Sequence, residues 1–210
     1  MTRFPALEHP QFRRYFIGQS IALIGGFAHN VAMAWLAFRL TGSVAVLGIV
    51  GFASLSPALI VSPFAGLLAD RYPRREMLIG MLGFVALLGL ALAALTALDW
   101  MNATVLIAAA FVRGVAFAVE IPIRHAFLVD LITDRAVLPN AVALHSTALN
   151  TARFIGPAIG GLLIGWVGEA ACFLLHPITL TATLIQLLRI RTVPQAAHKP
   201  SGSFFGDFVE

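Results

Sequence analysis

Charge is what this chain has least of: 11% of its 210 residues are Asp, Glu, Lys or Arg, against about 25% in an ordinary soluble domain. With 59% hydrophobic residues and a mean hydropathy of +0.89, that scarcity excludes a water-soluble enzyme of usual composition. Cysteine is nearly absent too, and the single Cys172 can close no intrachain disulfide and offers no metal cluster. There is no Gly-x-x-x-x-Gly-Lys phosphate loop, so an ATP-driven pump is not expected. The Ser and Thr residues lack a His and carboxylate grouping and the histidines lack ligand spacing. No catalytic residue, metal or cofactor is therefore expected. The balance of +4, with a pI near 10.2, comes without a basic stripe interleaved with aromatics, so nucleic acid is not an expected partner.

Long apolar runs are present instead. Six of them, at 17–38, 44–69, 77–98, 103–121, 141–167 and 171–190, are each long enough to cross a bilayer, for which about 20 helical residues suffice. These runs predict an all-α membrane protein: a cytoplasmic amino terminus at 1–16, a six-helix transmembrane domain at 17–190 and a cytoplasmic linker at 191–210. The first run follows Arg3, Arg13 and Arg14 and is not followed by a small-x-small cleavage site, which points to an uncleaved first helix rather than a signal peptide. Cytoplasmic loops retain Lys and Arg. With the amino terminus inside, Arg3, Arg13, Arg14, Arg71, Arg74, Arg75, Arg124, Arg135, Arg189, Arg191 and Lys199 lie inside and Arg39 alone lies outside. Six spans then leave both termini cytoplasmic.

Short connections near 39–43, 99–102 and 168–170 force neighbouring helices antiparallel. In the longer segment 120–140, Ile123, Phe127, Leu128, Leu131 and Ile132 recur at helical spacing opposite Arg124, Asp130 and Asp134. Either this stretch lies as a helix in the membrane interface, or it extends spans four and five. An internal repeat is visible as well. Ser62, Pro63, Phe64, Ala65, Gly66, Leu67 and Leu68 in span two match Gly156, Pro157, Ala158, Ile159, Gly160, Gly161, Leu162 and Leu163 in span five, three helices on and running the other way. The pattern implies a 3+3 inverted repeat, an arrangement used by many secondary transporters, with chance recurrence of Pro and Gly as the alternative.

The charged residues within spans are the sharpest signals. Arg113 and Arg153 lie deep, where a lipid-facing cation is costly, so each should face the bundle interior or a wet cavity. Asn150 stands one turn from Arg153 on the same side. Gln19, His29 and Asn30 add polar groups to span one. Together Gln19, His29, Asn30, Arg113, Asn150 and Arg153 are the candidates for contact with a solute or coupling partner. Structural interhelical hydrogen bonding is the competing role, and it weighs most for His29.

Between spans two and three stand Gly66, Leu67, Leu68, Ala69, Asp70, Arg71, Tyr72, Pro73, Arg74 and Arg75. A carboxylate at the end of span two opposes its own helix dipole, so Asp70 should face the positive end of another helix or an arginine. Arg74 or Arg75 is placed to pair with Glu120. The loop resembles the signature of the major facilitator superfamily, Gly, three residues, Asp-Arg, x, Gly, Arg, Arg or Lys, with Pro73 where the family has Gly. Pro holds φ near −65° and cannot take a left-handed turn. The resemblance implies a cytoplasmic gate made of Gly66, Asp70, Arg71, Arg74, Arg75 and Glu120; simple anchoring of topology by the arginines is the alternative.

A second stretch, from Ala152 and Arg153 to Gly156, Pro157, Gly160 and Gly161, looks like the helix-five motif of antiporters and exporters in that family, where glycines let a neighbouring helix come close. Gly18, Gln19, Gly25, Gly26, Ala34, Trp35, the turn at Leu40 to Ser43, Leu138 to Ala141 and the closing Phe204 to Glu210 resemble the exporter branch that includes enterobactin-exporter-like permeases. Members carry twelve helices in two halves around a solute cavity, and this chain matches one half. The resemblance therefore implies half of a secondary active exporter in the bacterial inner membrane. It would move a small amphipathic solute such as a siderophore or drug by gradient-coupled alternating access, with the lipid bilayer and a second six-helix half or second copy as partners. The alternative is a truncated membrane remnant or assembly partner that does not transport.

Overall fold

The computed structural model describes residues 4–132 and 134–190, apart from the side chains at 67, 69 and 70. The linker 191–210, with its closing Phe204 to Glu210, lies outside the described residues, as do Arg3, Arg191 and Lys199. A short 3-10 turn, Pro5–Glu8, leads into α1 (Pro10–Thr41). Then follow α2 (Val44–Arg71), α3 (Arg74–Ala97), α4 (Ala103–Asp130), α5 (Leu138–Val167) and α6 (Glu169–Arg189). Six helices are described, at the six places where apolar runs predict them.

Five of the six, all but α5, are both long and apolar enough to cross a membrane. At 30 residues α5 has ample length, about 45 Å at 1.5 Å per residue, but Asn140, His145, Ser146, Thr147, Asn150 and Thr151 dilute its first half and Arg153 its middle.

Most of the helices also outrun their apolar cores. Helix α1 begins at Pro10 rather than near 17, and α4 continues to Asp130 rather than ending near 121. Backbone hydrogen bonding does not stop where hydrophobicity stops. The reading of 120–140 as a separate interfacial helix is thereby corrected: α4 is one helix through Pro122, and its extension carries the amphipathic pattern. Ile123, Phe127, Leu128, Leu131 and Ile132 are all buried in a cluster with Phe12, Tyr15, Leu78 and Leu187, so that face is covered by protein rather than by lipid.

The connections are tight. Gly42 takes a left-handed conformation (φ 61°) that ends α1, and Gly168 (φ 94°) is the single residue between α5 and α6. Asn102 caps α4 by accepting a hydrogen bond from the Val105 amide at 3.0 Å. The turn after α2 is made by Tyr72 and Pro73, with Pro73 at φ −59° serving as the N-cap of α3. The substitution of Pro for Gly thus fits a turn that needs no left-handed residue at this position.

Packing exchanges partners between the first and last three helices: α2 lies on α4, α5 lies on α1, α1 lies on α6, and α3 contacts both α6 and α4. One apolar cluster, with Phe12, Leu78, Phe127 and Leu187, fills the end where α1 starts and α6 finishes. A second, with Leu36, Val50, Leu92, Leu106 and Phe173, fills the opposite end. The outer surface is apolar as well, with Leu59 82% exposed and Phe154 and Trp166 each 79% exposed, as expected where lipid rather than water is the solvent.

Lipid tails are as apolar as the helices, so close backbone approach must hold the helices together. Gly156 and Gly160 of α5 supply it. A Cβ on Gly160 would stand 3.1 Å from the Ala28 backbone of α1, and one on Gly156 would stand 2.8 Å from the Ile24 carbonyl. Gly161 faces open space. Across the bundle, a Cβ on Gly114 of α4 would meet the Ser54 carbonyl of α2 at 2.5 Å. Replacing Gly160 by Leu should destabilise the fold by roughly 1–3 kcal/mol through overpacking, whereas Gly161→Leu should be close to neutral. Thermal unfolding in detergent reads both, and equal losses would remove the special role of the α1–α5 contact.

Candidate functional site

Between the two apolar clusters lies a cavity of about 130 Å³, several times the space one water needs. Helix α1 contributes Gln19, Gly26, Phe27 and Asn30; α4 contributes Arg113, Phe117, Glu120 and Arg124; α6 contributes His176. Leu82 and Val85 of α3, Leu149 of α5 and Leu180 of α6 complete an apolar wall. The polar groups fall together because 113, 117, 120 and 124 recur every three or four residues on α4, as do 19, 23, 26 and 30 on α1.

Arg113 donates from Nη1 to the Asn30 Oδ1 at 2.7 Å, joining two of the sequence candidates. Its Nε is buried and has no hydrogen-bond partner among the described residues, and the same is true of the Gln19 Oε1. Glu120 and Arg124, one turn apart on α4, form an ion pair whose side chains are about one-tenth exposed or less. His176 Nδ1 has no hydrogen-bond partner among the described residues. Behind it His29 is buried, its ring 5.1 Å from that of His176 and 5.0 Å from Phe173, with neither nitrogen hydrogen-bonded among the described residues.

Of the candidates from the sequence, Gln19, Asn30, Arg113 and Glu120 line this cavity. His29 stands one layer behind it, and Asn150 and Arg153 are exposed on α5, outside it. The sequence reading missed Arg124 and His176. Arg124 falls beyond span four as bounded at 121, on the polar face of the helical stretch 120–140; the signal for the cavity is its i, i+4 spacing from Glu120. His176 was visible as an ionisable group well inside an apolar run.

The expected pairing of Arg74 or Arg75 with Glu120 needs correction. Arg74 meets Asp130 at 2.8 Å, and Glu120 pairs with Arg124. Because α4 continues ten residues past Glu120, about 15 Å along its axis, Asp130 is the carboxylate brought level with the start of α3. Arg75 donates from Nε and Nη2 to the Leu187 and Leu188 carbonyls at 2.7 and 3.1 Å, capping the negative end of α6. Gly66 has open space about it, and Arg71 is exposed. The Asp70 side chain lies outside the described residues.

Six helices with an apolar outer face, five of them lining a cavity that holds charged and amide groups, define a multi-pass helical membrane protein of the transporter class. The chain belongs to the major facilitator superfamily: the family model described as "Transmembrane secretion effector" matches residues 1–210. It is 30% identical over 192 residues to the staphyloferrin A transporter of Staphylococcus aureus, covering 89% of this chain and 48% of that protein. It is 30% identical over 193 residues to the multidrug efflux pump Tap of Mycobacterium bovis, covering 86% and 43%. Identity to the macrolide efflux protein A of Streptococcus pyogenes is 22% over 153 residues, covering 73% and 38%. The chain thus spans about half the length, or less, of these curated relatives. Bacterial relatives and apolar helices together fit a multi-pass integral protein of the plasma (inner) membrane.

The Glu120–Arg124 pair generates a test. Glu120→Gln should leave the Arg124 guanidinium uncompensated and lower stability by roughly 3 kcal/mol, and adding Arg124→Met should restore most of it. Thermal melts of the single and double variants check this, and a double variant no more stable than Glu120→Gln alone would show that the pair does not act as a unit.

Proposed function

We propose that this chain is one six-helix half of an exporter-type secondary transporter. It works with a second half or a second copy to move a small amphipathic organic solute, such as a siderophore or drug, by gradient-coupled alternating access. The observation that carries this reading is the polar cavity held between apolar clusters at either end of the bundle. Cations and amides projecting from α1 and α4 into an otherwise apolar wall suit a solute with both polar and apolar parts. Relatives named for a siderophore and for drug efflux support the same solute class.

The exchange of packing partners supports the 3+3 inverted repeat, since α2 on α4 answers α5 on α1 when each helix is matched with the one three later. For the gate, α2 and α3 meet at a tight turn whose Arg74 reaches α4 and whose Arg75 reaches α6, so movement of that turn pulls on both. Gly66, Asp70 and Arg71 belong to the same device by resemblance. Arg153 and Asn150, exposed on α5, would meet solute where a second half closes over that face. Gly156, Pro157, Gly160 and Gly161 keep the packing role, carried chiefly by Gly156 and Gly160.

Orientation is tested by cysteine labelling in a Cys172→Ser background. An impermeant maleimide should label Val44→Cys in intact cells and Tyr72→Cys only after permeabilisation; the reverse pattern would invert the topology. Transport is tested in proteoliposomes under an imposed proton gradient, against a panel of siderophores and drugs. Flux is expected when the chain is crosslinked as a dimer or supplied with a second six-helix half. Absence of flux in both, with only monomer on crosslinking, would leave the non-transporting remnant.

A further inference from the structure

The cavity carries more positive charge than its own groups neutralise. Two guanidinium groups, Arg113 and Arg124, stand on its wall, and among the described residues Glu120 is the one carboxylate there. Glu120 is engaged by Arg124. Arg113 is left with the neutral Asn30 amide at 2.7 Å and a buried Nε that donates to nothing described. A guanidinium has five donors, does not deprotonate in proteins, and matches a carboxylate as a planar fork. A half-buried guanidinium with so few of its donors met favours an anion over a neutral group of the same shape.

The neighbours fit that role. Asn30 holds Arg113 in place while leaving most of its donors unused, and Phe27 and Phe117 offer apolar surface beside it. A bound group at this point would meet charge on one side and rings on the other. We infer that the cavity is selective for an anionic amphipathic solute, with the Arg113 guanidinium as the ligand for its carboxylate and the Glu120–Arg124 pair as a neutral flank. This rests on the reading of the cavity as a solute site and names the charge of what it takes.

The experiment is calorimetric titration of the purified chain in a neutral detergent, so that anionic lipid headgroups do not compete. Three probes share one apolar body and differ in charge: 4-phenylbutyrate, its uncharged amide and 4-phenylbutylamine. The carboxylate should bind at least about tenfold more tightly than the amide, and the amine most weakly. Arg113→Gln should bring the carboxylate down to the affinity of the amide, and a thermal melt of the variant in the same detergent reports whether it is folded. Arg113→Lys, keeping the charge without the fork, should fall between. Should Arg113→Gln fail to fold, the order of the three probes on the unaltered chain together with Arg113→Lys decides.

Equal binding of carboxylate and amide, or a preference surviving in Arg113→Gln, would overturn the anion selectivity while leaving the cavity as a solute site. Binding by none of the three would overturn the selectivity and count against the solute site itself.

Discussion

Everything in this bundle depends on how closely one helix backbone can approach another. In water the burial of apolar faces would drive α1 against α5 and α6, but in lipid that gain largely vanishes and contact geometry must replace it. Gly156 and Gly160 allow α5 to rest on the backbone of α1 at Ile24 and Ala28. On the other side of α1, Gly18 lies so near α6 that an added Cβ would stand 2.9 Å from the Ala182 carbonyl. Helix α1 is therefore clasped from two sides over the same few turns. Those turns also carry Gln19, Asn30 and His29. The glycines that let α1 be gripped thus fix the positions of the polar groups that α1 presents.

The second constraint follows from the first. Beside the tightly packed turns of α1 the bundle holds two arginines, a glutamate and two histidines, spread along the cavity over about three turns of α4. They are handled differently. The Glu120–Arg124 pair closes within one turn of α4, leaving the buried Arg124 Nε without a hydrogen-bond partner among the described residues. Arg113 reaches across to Asn30, so its position depends on α1 and α4 together. His29 and His176 rest on aromatic contact with polar atoms left over. A self-contained pair survives relative helix motion, whereas the Arg113–Asn30 contact stretches if α1 and α4 separate.

The helices were legible because an apolar run of about 20 residues has few alternatives in folded proteins. Their ends were less so, since the apolar runs stop short of Arg14 and just past Glu120 while the backbone carries on. That single misplacement explains two others. It hid Arg124 from the cavity, and it made Glu120 seem available to Arg74, when Asp130 further along α4 lay opposite. Gln19, Asn30 and Arg113 were readable because a polar residue deep in an apolar run has few explanations. Which face each occupies was not, and Arg153 was expected in the interior on depth alone although α5 turns its glycine face inward and Arg153 outward. The glycine motif itself was legible in part: Gly156 and Gly160, four apart, face α1, and the neighbouring Gly161 does not.

The two ends of α5 are tied very differently. At one end Gly168 alone joins α5 to α6, while at the other, residues 131–137 separate α5 from α4. A one-residue link transmits bending and twist almost undiminished, whereas a seven-residue link absorbs them. A displacement of α5 is therefore carried directly into α6, and since both helices pack on α1, the three are expected to shift together, whereas α5 can be offset from α4 at the end of the bundle where Arg74 grips Asp130.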